Sequence, residues 1–169
     1  MLKNHNKKLN NEGLSLIELI IVLAIMAIIG AASFLSLRMA TNKQVGACAD
    51  KLRTSLDQTR NLALGKNSAY LEIWKDGTVN IQMWVNNQPY GNEIAIGVSG
   101  VYASYFTRTS PSASPVYHDL DSTHVVIEFD RSSGGVKGSP YVESFTVTNG
   151  DRTCIVTIDH FTGRVSVSN

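Results

Sequence analysis

Apolar and polar positions divide this chain into three regimes. Residues 14–37 are apolar at nearly every position, with a single charge. A helix of that length covers about 36 Å, enough to cross a bilayer. A buried core helix would carry polar residues every third or fourth position, and this run does not. From residue 38 the pattern turns amphipathic. Val45, Cys48, Ala49, Leu52, Leu56, Leu62 and Ala63 recur at helical spacing, with Arg38, Lys43, Lys51, Arg53 and Arg60 mostly on the other side. Gly65-Lys66-Asn67 reads as the stop.

Beyond it the period changes from 3.6 to 2. Residues 70–74 and 78–85 alternate around a Lys75-Asp76-Gly77 hairpin turn, with Val79, Ile81, Met83 and Val85 on one face. Residues 86–123 carry most of the prolines and a Ser/Thr-rich stretch, 107–115. They are expected to form a surface excursion with short strands near 94–98 and 101–106. Strands return at 124–130, 142–148, 153–159 and 164–167, separated by turns at Gly134-Gly135, Asn149-Gly150-Asp151 and Phe161-Thr162-Gly163. The expected fold is α+β: a long N-terminal helix, half membrane-spanning and half amphipathic, packed on an antiparallel β-sheet head.

Charge refines this picture. The whole chain of 169 residues is +1. The first 13 residues hold Lys3, Lys7 and Lys8 against Glu12, whereas twelve Lys/Arg balance twelve Asp/Glu from residue 38 onward. A neutral body gives no electrostatic ground for general nucleic-acid binding. A basic front, an apolar middle and the small residues Gly30, Ala31 and Ala32 also suit a cleavable secretory signal. The length of the apolar run and the helical pattern continuing past it favour a retained anchor.

Glu18 is the one charge in the run. An acid at mid-bilayer costs about 2.5–3.5 kcal/mol on insertion scales, whereas near a helix N-terminus the backbone dipole favours it. Cleavage after Gly13 would make Leu14 a free N-terminus, one helical turn from Glu18. The new ammonium and the carboxylate could then compensate each other, within one chain or between neighbours.

Gly13-Leu14-Ser15-Leu16-Ile17-Glu18, after a Lys-rich leader and before an apolar helix, resembles the class III prepilin signal of type IV pilins and type II secretion pseudopilins. The resemblance implies a prepilin peptidase that cuts after Gly13 and methylates the amine of Leu14. It implies pairing of Glu18 with the N-terminus of a neighbouring subunit, so that Gly13 and Leu14 are processing residues and Glu18 an assembly residue. Most members carry Phe where this chain has Leu14. The implied layout is a leader at 1–13, a membrane and filament-core helix at 14–37, an amphipathic helix at 38–65 and a β-rich head at 66–169, its variable excursion at 86–123. The implied location is the cytoplasmic membrane, crossed once, with the N-terminus cytoplasmic and the head outside, and afterwards an extracytoplasmic filament. Implied partners are the peptidase, other pilin or pseudopilin subunits, an inner-membrane assembly platform and, before assembly, membrane lipid.

The last third is similar to H-type minor pseudopilins and related minor pilins. Phe129, Gly134, Gly163, Arg164 and Val165 stand at that group's Phe-to-Gly turn and closing G-R-V strand, although four residues rather than three precede Gly134. Beyond the membrane the compartment is oxidising, and Cys48 and Cys154 can pair there. A bridge closing a loop of about 106 residues would contribute roughly 4–5 kcal/mol in the chain-entropy model. Two separate buried thiols fit the pattern as well. Neither cysteine lies where the C-terminal loop of major pilins would place it, which favours a minor subunit.

No enzyme is expected. His118-Asp119, His124 and Asp159-His160 form no motif for nucleophilic, phosphate or metal chemistry. Asp119, Asp121 and Glu128 have no calcium-loop spacing, and neither metal nor cofactor is expected. Two functions follow. One is a structural subunit of a secretion pseudopilus or type IV pilus. The other is a minor pilin whose head grips DNA during competence, through Lys137, Arg152 and Arg164.

Overall fold

The structure is a computed structural model that describes residues 15–65 and 67–169, with residues 34–38 described only as helical backbone. One helix, α1, runs Leu16–Leu64. It stops where the glycine predicts. Gly65 N–H donates to the Asn61 carbonyl at 3.1 Å, and Asn67 Nδ2 donates to Leu62 O at 3.4 Å. The chain divides into two compact units, residues 1–38 and 39–169. In the first, Leu16–Ser33 is long and apolar enough to cross a membrane, and all of it is exposed.

In the second unit the amphipathic reading of α1 is confirmed residue by residue. Val45, Cys48, Ala49, Leu52, Leu56 and Ala63 are buried, and Leu62 packs against them. Thr59 belongs to the same face. It is fully hidden because its hydroxyl donates to Ser55 O at 2.7 Å, leaving only its methyl to pack. Arg60 departs from its expected solvent position: its Nε donates to the Thr162 carbonyl at 2.6 Å.

The head holds two antiparallel sheets. The first has order β3-β2-β1-β6, from β1 (Ala69–Asp76), β2 (Thr78–Val85), β3 (Gln88–Ala95) and β6 (Val125–Glu128). The second has order β5-β4-β7-β8-β9, from β4 (Tyr102–Arg108), β5 (Val116–Asp119), β7 (Tyr141–Thr148), β8 (Thr153–Ile158) and β9 (Val165–Ser168). Helix residues Val45 to Ala63 and strand residues of both sheets form one buried cluster that includes Leu71, Ile73, Phe129, Phe145 and Val156.

Residues 86–123 are more regular than the sequence reading expected: the strand expected near 101–106 is β4, the one expected near 94–98 is replaced by β3 at Gln88–Ala95, and β5 is added, with β3 and most of β5 exposed. Asn86 and Asn87 adopt φ of 52° and 61°, the left-handed pair that turns a two-residue hairpin, and β3 returns along β2. Pro89 and Gly91 argued against a strand, yet β3 is an edge, where proline is tolerated. β4 lies within the second sheet, paired on both sides. On β2, Val79 and Ile81 face the core as expected, but Asn80 and Gln82 are buried as well. Local bonds make this affordable: Asn80 Nδ2 donates to Thr78 O at 3.1 Å, and Gln82 Nε2 donates to Met83 O at 2.8 Å.

Cys48 and Cys154 are both fully buried, and both are free thiols. Cys154 lies on the inward face of β8 with Val156 and Ile158, and its Sγ donates to Asn169 Oδ1 at 3.0 Å. Burial pushes the Cys48 thiol up to about 11, so it stays protonated at neutral pH. Folded protein is therefore expected to resist alkylation at both cysteines and to label twice once denatured without reductant. Protein that fails to label after denaturation would carry the bridge raised by the sequence.

Candidate assembly site and the glycine junction of the head

Ser15 and Glu18 begin α1 in the spacing of a capping box, Ser-x-x-Glu. Leu19 N–H donates to Ser15 O at 3.1 Å, the first helical bond. Ser15 N–H in turn donates to Glu18 Oε2 at 3.4 Å. The acid thus has a task inside its own chain. The Ser-x-x-Glu spacing was a readable signal for it. Along Leu16–Ser33 the surface is largely of apolar side chains, among them Leu16, Ile17, Leu19, Ile20 and Met26. Gly30 has open space around it. Gly13 and Leu14, the expected processing residues, lie outside the described residues.

In the head, the structure brings together the positions that carry the second resemblance. Phe129 closes a bridge to Val136 around a turn held by Asp130. Asp130 Oδ1 accepts the Ser132 hydroxyl at 2.5 Å and the backbone N–H of Ser132 and Ser133, both at 2.9 Å. These bonds hold its carboxyl well below the usual range, the Ser132 hydroxyl first. Asp159 organises a matching turn by accepting from the Thr162 hydroxyl and backbone N–H, both at 2.7 Å. The two turns meet backbone to backbone. Val136 N–H donates to His160 O at 2.9 Å, and Gly163 packs on the Gly134 carbonyl, on Phe129 and on the Arg60 stem. Gly135 is as confined, since a Cβ there would stand 2.5 Å from Phe161 O and 2.7 Å from His160 O. Arg60 closes the junction from the helix. Arg164 and Val165 continue out of it into β9, Val165 inward and Arg164 exposed.

The residues weighed for other chemistry are dispersed. Lys137 Nζ pairs with Glu128 Oε1 at 2.7 Å. Arg152 Nη1 donates to Asn42 O at 3.3 Å and Nη2 to Asn169 Oδ1 at 3.1 Å. Both cations thus already have partners within the head. Asp119 accepts from the Tyr117 hydroxyl, and Asp121 caps Thr123 N–H at 2.7 Å. Among the described residues, no three His, Cys, Asp or Glu side chains converge as a metal site. His118, His124 and His160 each stack on an aromatic ring, Tyr105, Trp74 and Tyr141 respectively.

Residues 8–34 fit the family model of the prokaryotic N-terminal methylation motif. No curated protein and no solved structure matches the chain.

Proposed function

We propose that this chain, which carries the processing signal of the type IV pilin superfamily, is a minor, pseudopilin-like structural subunit of a type II secretion pseudopilus or type IV pilus. The observation that carries the reading is the continuity of that signal with an exposed apolar helix whose first turn holds Glu18. The motif implies cleavage by a prepilin peptidase and assembly with other pilin subunits. In this reading the mature chain begins at Leu14, crosses the cytoplasmic membrane once with its head outside, and leaves lipid when an assembly platform inserts it into the filament. An apolar helix with no groove of its own to fill is suited to both environments, since lipid and a bundle of like helices are equally apolar.

The H-type reading is supported by the junction, where Phe129, Gly134 and Gly163 meet. A head that grips DNA is the second reading; its cations Lys137 and Arg152 would have to exchange their bonds to Glu128, Asn42 and Asn169 for phosphate. A structural subunit also needs no catalytic cluster.

Mass spectrometry of the N-terminal peptide from the native host tests the proposal. The expected peptide begins at Leu14 and carries one N-methyl group. Gly13→Arg should leave the full-length precursor in the membrane. A chain that retains Met1, or that begins at Ser33 after cleavage behind Ala32, would refute the assignment.

A further inference from the structure

A cleft of about 620 Å³ opens on the second sheet beside the glycine junction, within the roughly 300–1,000 Å³ typical of small-molecule sites. Its lining mixes polar, aromatic and aliphatic residues, and its polar part is already organised. Glu143 sits at the register irregularity of β7, between the Phe106–Ser144 and Thr107–Val142 pairs. Such a bulge redirects a side chain. Here Glu143 Oε2 accepts from Arg108 Nε at 2.6 Å, and Arg108 Nη1 donates to Ala113 O at 2.8 Å and Pro111 O at 3.3 Å. Both side chains are held, and among the described residues Glu143 Oε1 and Arg108 Nη2 are left without partners. One fixed acceptor and one fixed donor side by side match two neighbouring hydroxyl groups. Thr157 and Ser166 add two more hydroxyls from paired positions on β8 and β9, neither bonded among the described residues. Phe161 stands at the rim with 66% of its surface exposed. Its ring tilts against that of His160, with centroids 5.1 Å apart, and most of its surface is left open to a ligand.

Charge decides what kind of ligand fits. Arg108 and Arg164 face Glu143 and Asp159, so the lining is formally balanced. An anionic ligand would gain from Arg164 but meet two carboxylates, one of them already neutralising Arg108. A neutral, hydroxyl-rich ligand with one apolar C–H face meets no such repulsion. We propose that this cleft binds a neutral pyranose unit of a saccharide, its C–H face on Phe161 and adjacent hydroxyls on the Arg108–Glu143 pair.

Saturation-transfer NMR on the full chain tests this, in lauryldimethylamine oxide micelles because that detergent contains no sugar. The probes are methyl glucopyranoside, methyl galactopyranoside, methyl mannopyranoside and N-acetylglucosamine. Transfer to one of them is expected to saturate with a Kd of about 1 mM, typical of a small shallow contact. Phe161→Ala should weaken it at least about tenfold, and Thr157→Val should weaken it too. Both positions are exposed, so the circular dichroism of either variant should match that of wild type. Raising NaCl to about 0.5 M should change nothing, since no net charge is involved. Absence of transfer from all four probes at about 50 mM would overturn the proposal. So would undiminished binding by Phe161→Ala, or transfer that salt and a short oligodeoxynucleotide both abolish.

Discussion

Gly163→Ala is expected to destabilise the head by about 3 kcal/mol or more, among the largest losses a single methyl group can cause. Two costs combine. Gly163 has φ of +63°, a conformation that side chains disfavour. The new Cβ would also overlap the Gly134 carbonyl oxygen and approach Phe129 and Arg60 to 3.0 and 3.1 Å. The carbonyl is backbone and cannot rotate aside. The two turns would have to part, breaking the Val136–His160 bond and the Arg60–Thr162 bond with them. Gly77→Ala separates the costs, because Gly77 has nearly the same φ, +65°, and nothing within 4 Å. It should lose only about 1 kcal/mol. For a chain of this size the Tm should fall by roughly 6–12 °C for Gly163→Ala and by a few degrees for Gly77→Ala. Equal losses would mean that backbone conformation alone, and not the junction, requires the glycine.

Glu18→Ala is expected to insert into the membrane and to be processed after Gly13, yet to enter filaments poorly. In the filament interior, shielded from water, the proposed partner of the carboxylate is the methylated ammonium of Leu14 on a neighbour. Removing one member of a buried ion pair costs about 3–5 kcal/mol, although the intact pair adds little over an apolar one. The bond from Ser15 N–H to Glu18 supplies a competing explanation, since losing a helix cap costs about 1 kcal/mol. Glu18→Gln distinguishes the two. A glutamine oxygen still accepts from Ser15 N–H, so the cap survives while the charge is gone. If charge pairing sets the assembly register, Gln should fail as Ala does. Assembly restored by Gln would show that the cap is what matters. Because a subunit at the extreme tip has no neighbour to pair with in this way, the presence of Glu18 also predicts a place below the tip. Crosslinks from positions beside Glu18 to another minor subunit would demonstrate it.

The helix was legible from the chain because its signals are local and agree. Period, small residues on the packed face and the Gly65 stop all point the same way over residues 45–65. The strands after residue 124 were legible for the same reason. The middle was not. Gly91, Pro89 and a Ser/Thr-rich run are loop signals when read locally, but an edge strand tolerates proline and a polar outer face uses Ser and Thr. The division into two sheets was beyond local reading altogether, since it depends on β6 leaving its sequence neighbours to pair with β1. At the candidate sites, Glu18 was visible as an anomaly in an apolar run. Phe129, Gly134 and Gly163 were visible only as separated letters of a pattern, and their physical reason is a contact between turns about 30 residues apart. Arg60 was misjudged because one long side chain on a polar helix face can still reach a carbonyl 102 residues away.

The way the chain alternates between the two sheets bears on when the head can fold. Strands β1 to β3 enter the first sheet, β4 and β5 the second, β6 returns to the first, and β7 to β9 complete the second. Neither sheet is finished when its first strands emerge. β1 waits for residues 125–128, and β4 waits for residues 141–148. The closing bonds from helix to turn span 102 and 107 residues. Such a topology has high contact order and folds slowly, because distant segments must meet before any of them is rewarded. In a cytosolic protein that delay would be an aggregation hazard. If, as proposed above, the head crosses the membrane behind its own anchor, the delay has the opposite value. The segment stays unfolded while it is being moved, and the last residues to cross are the ones that let the structure close.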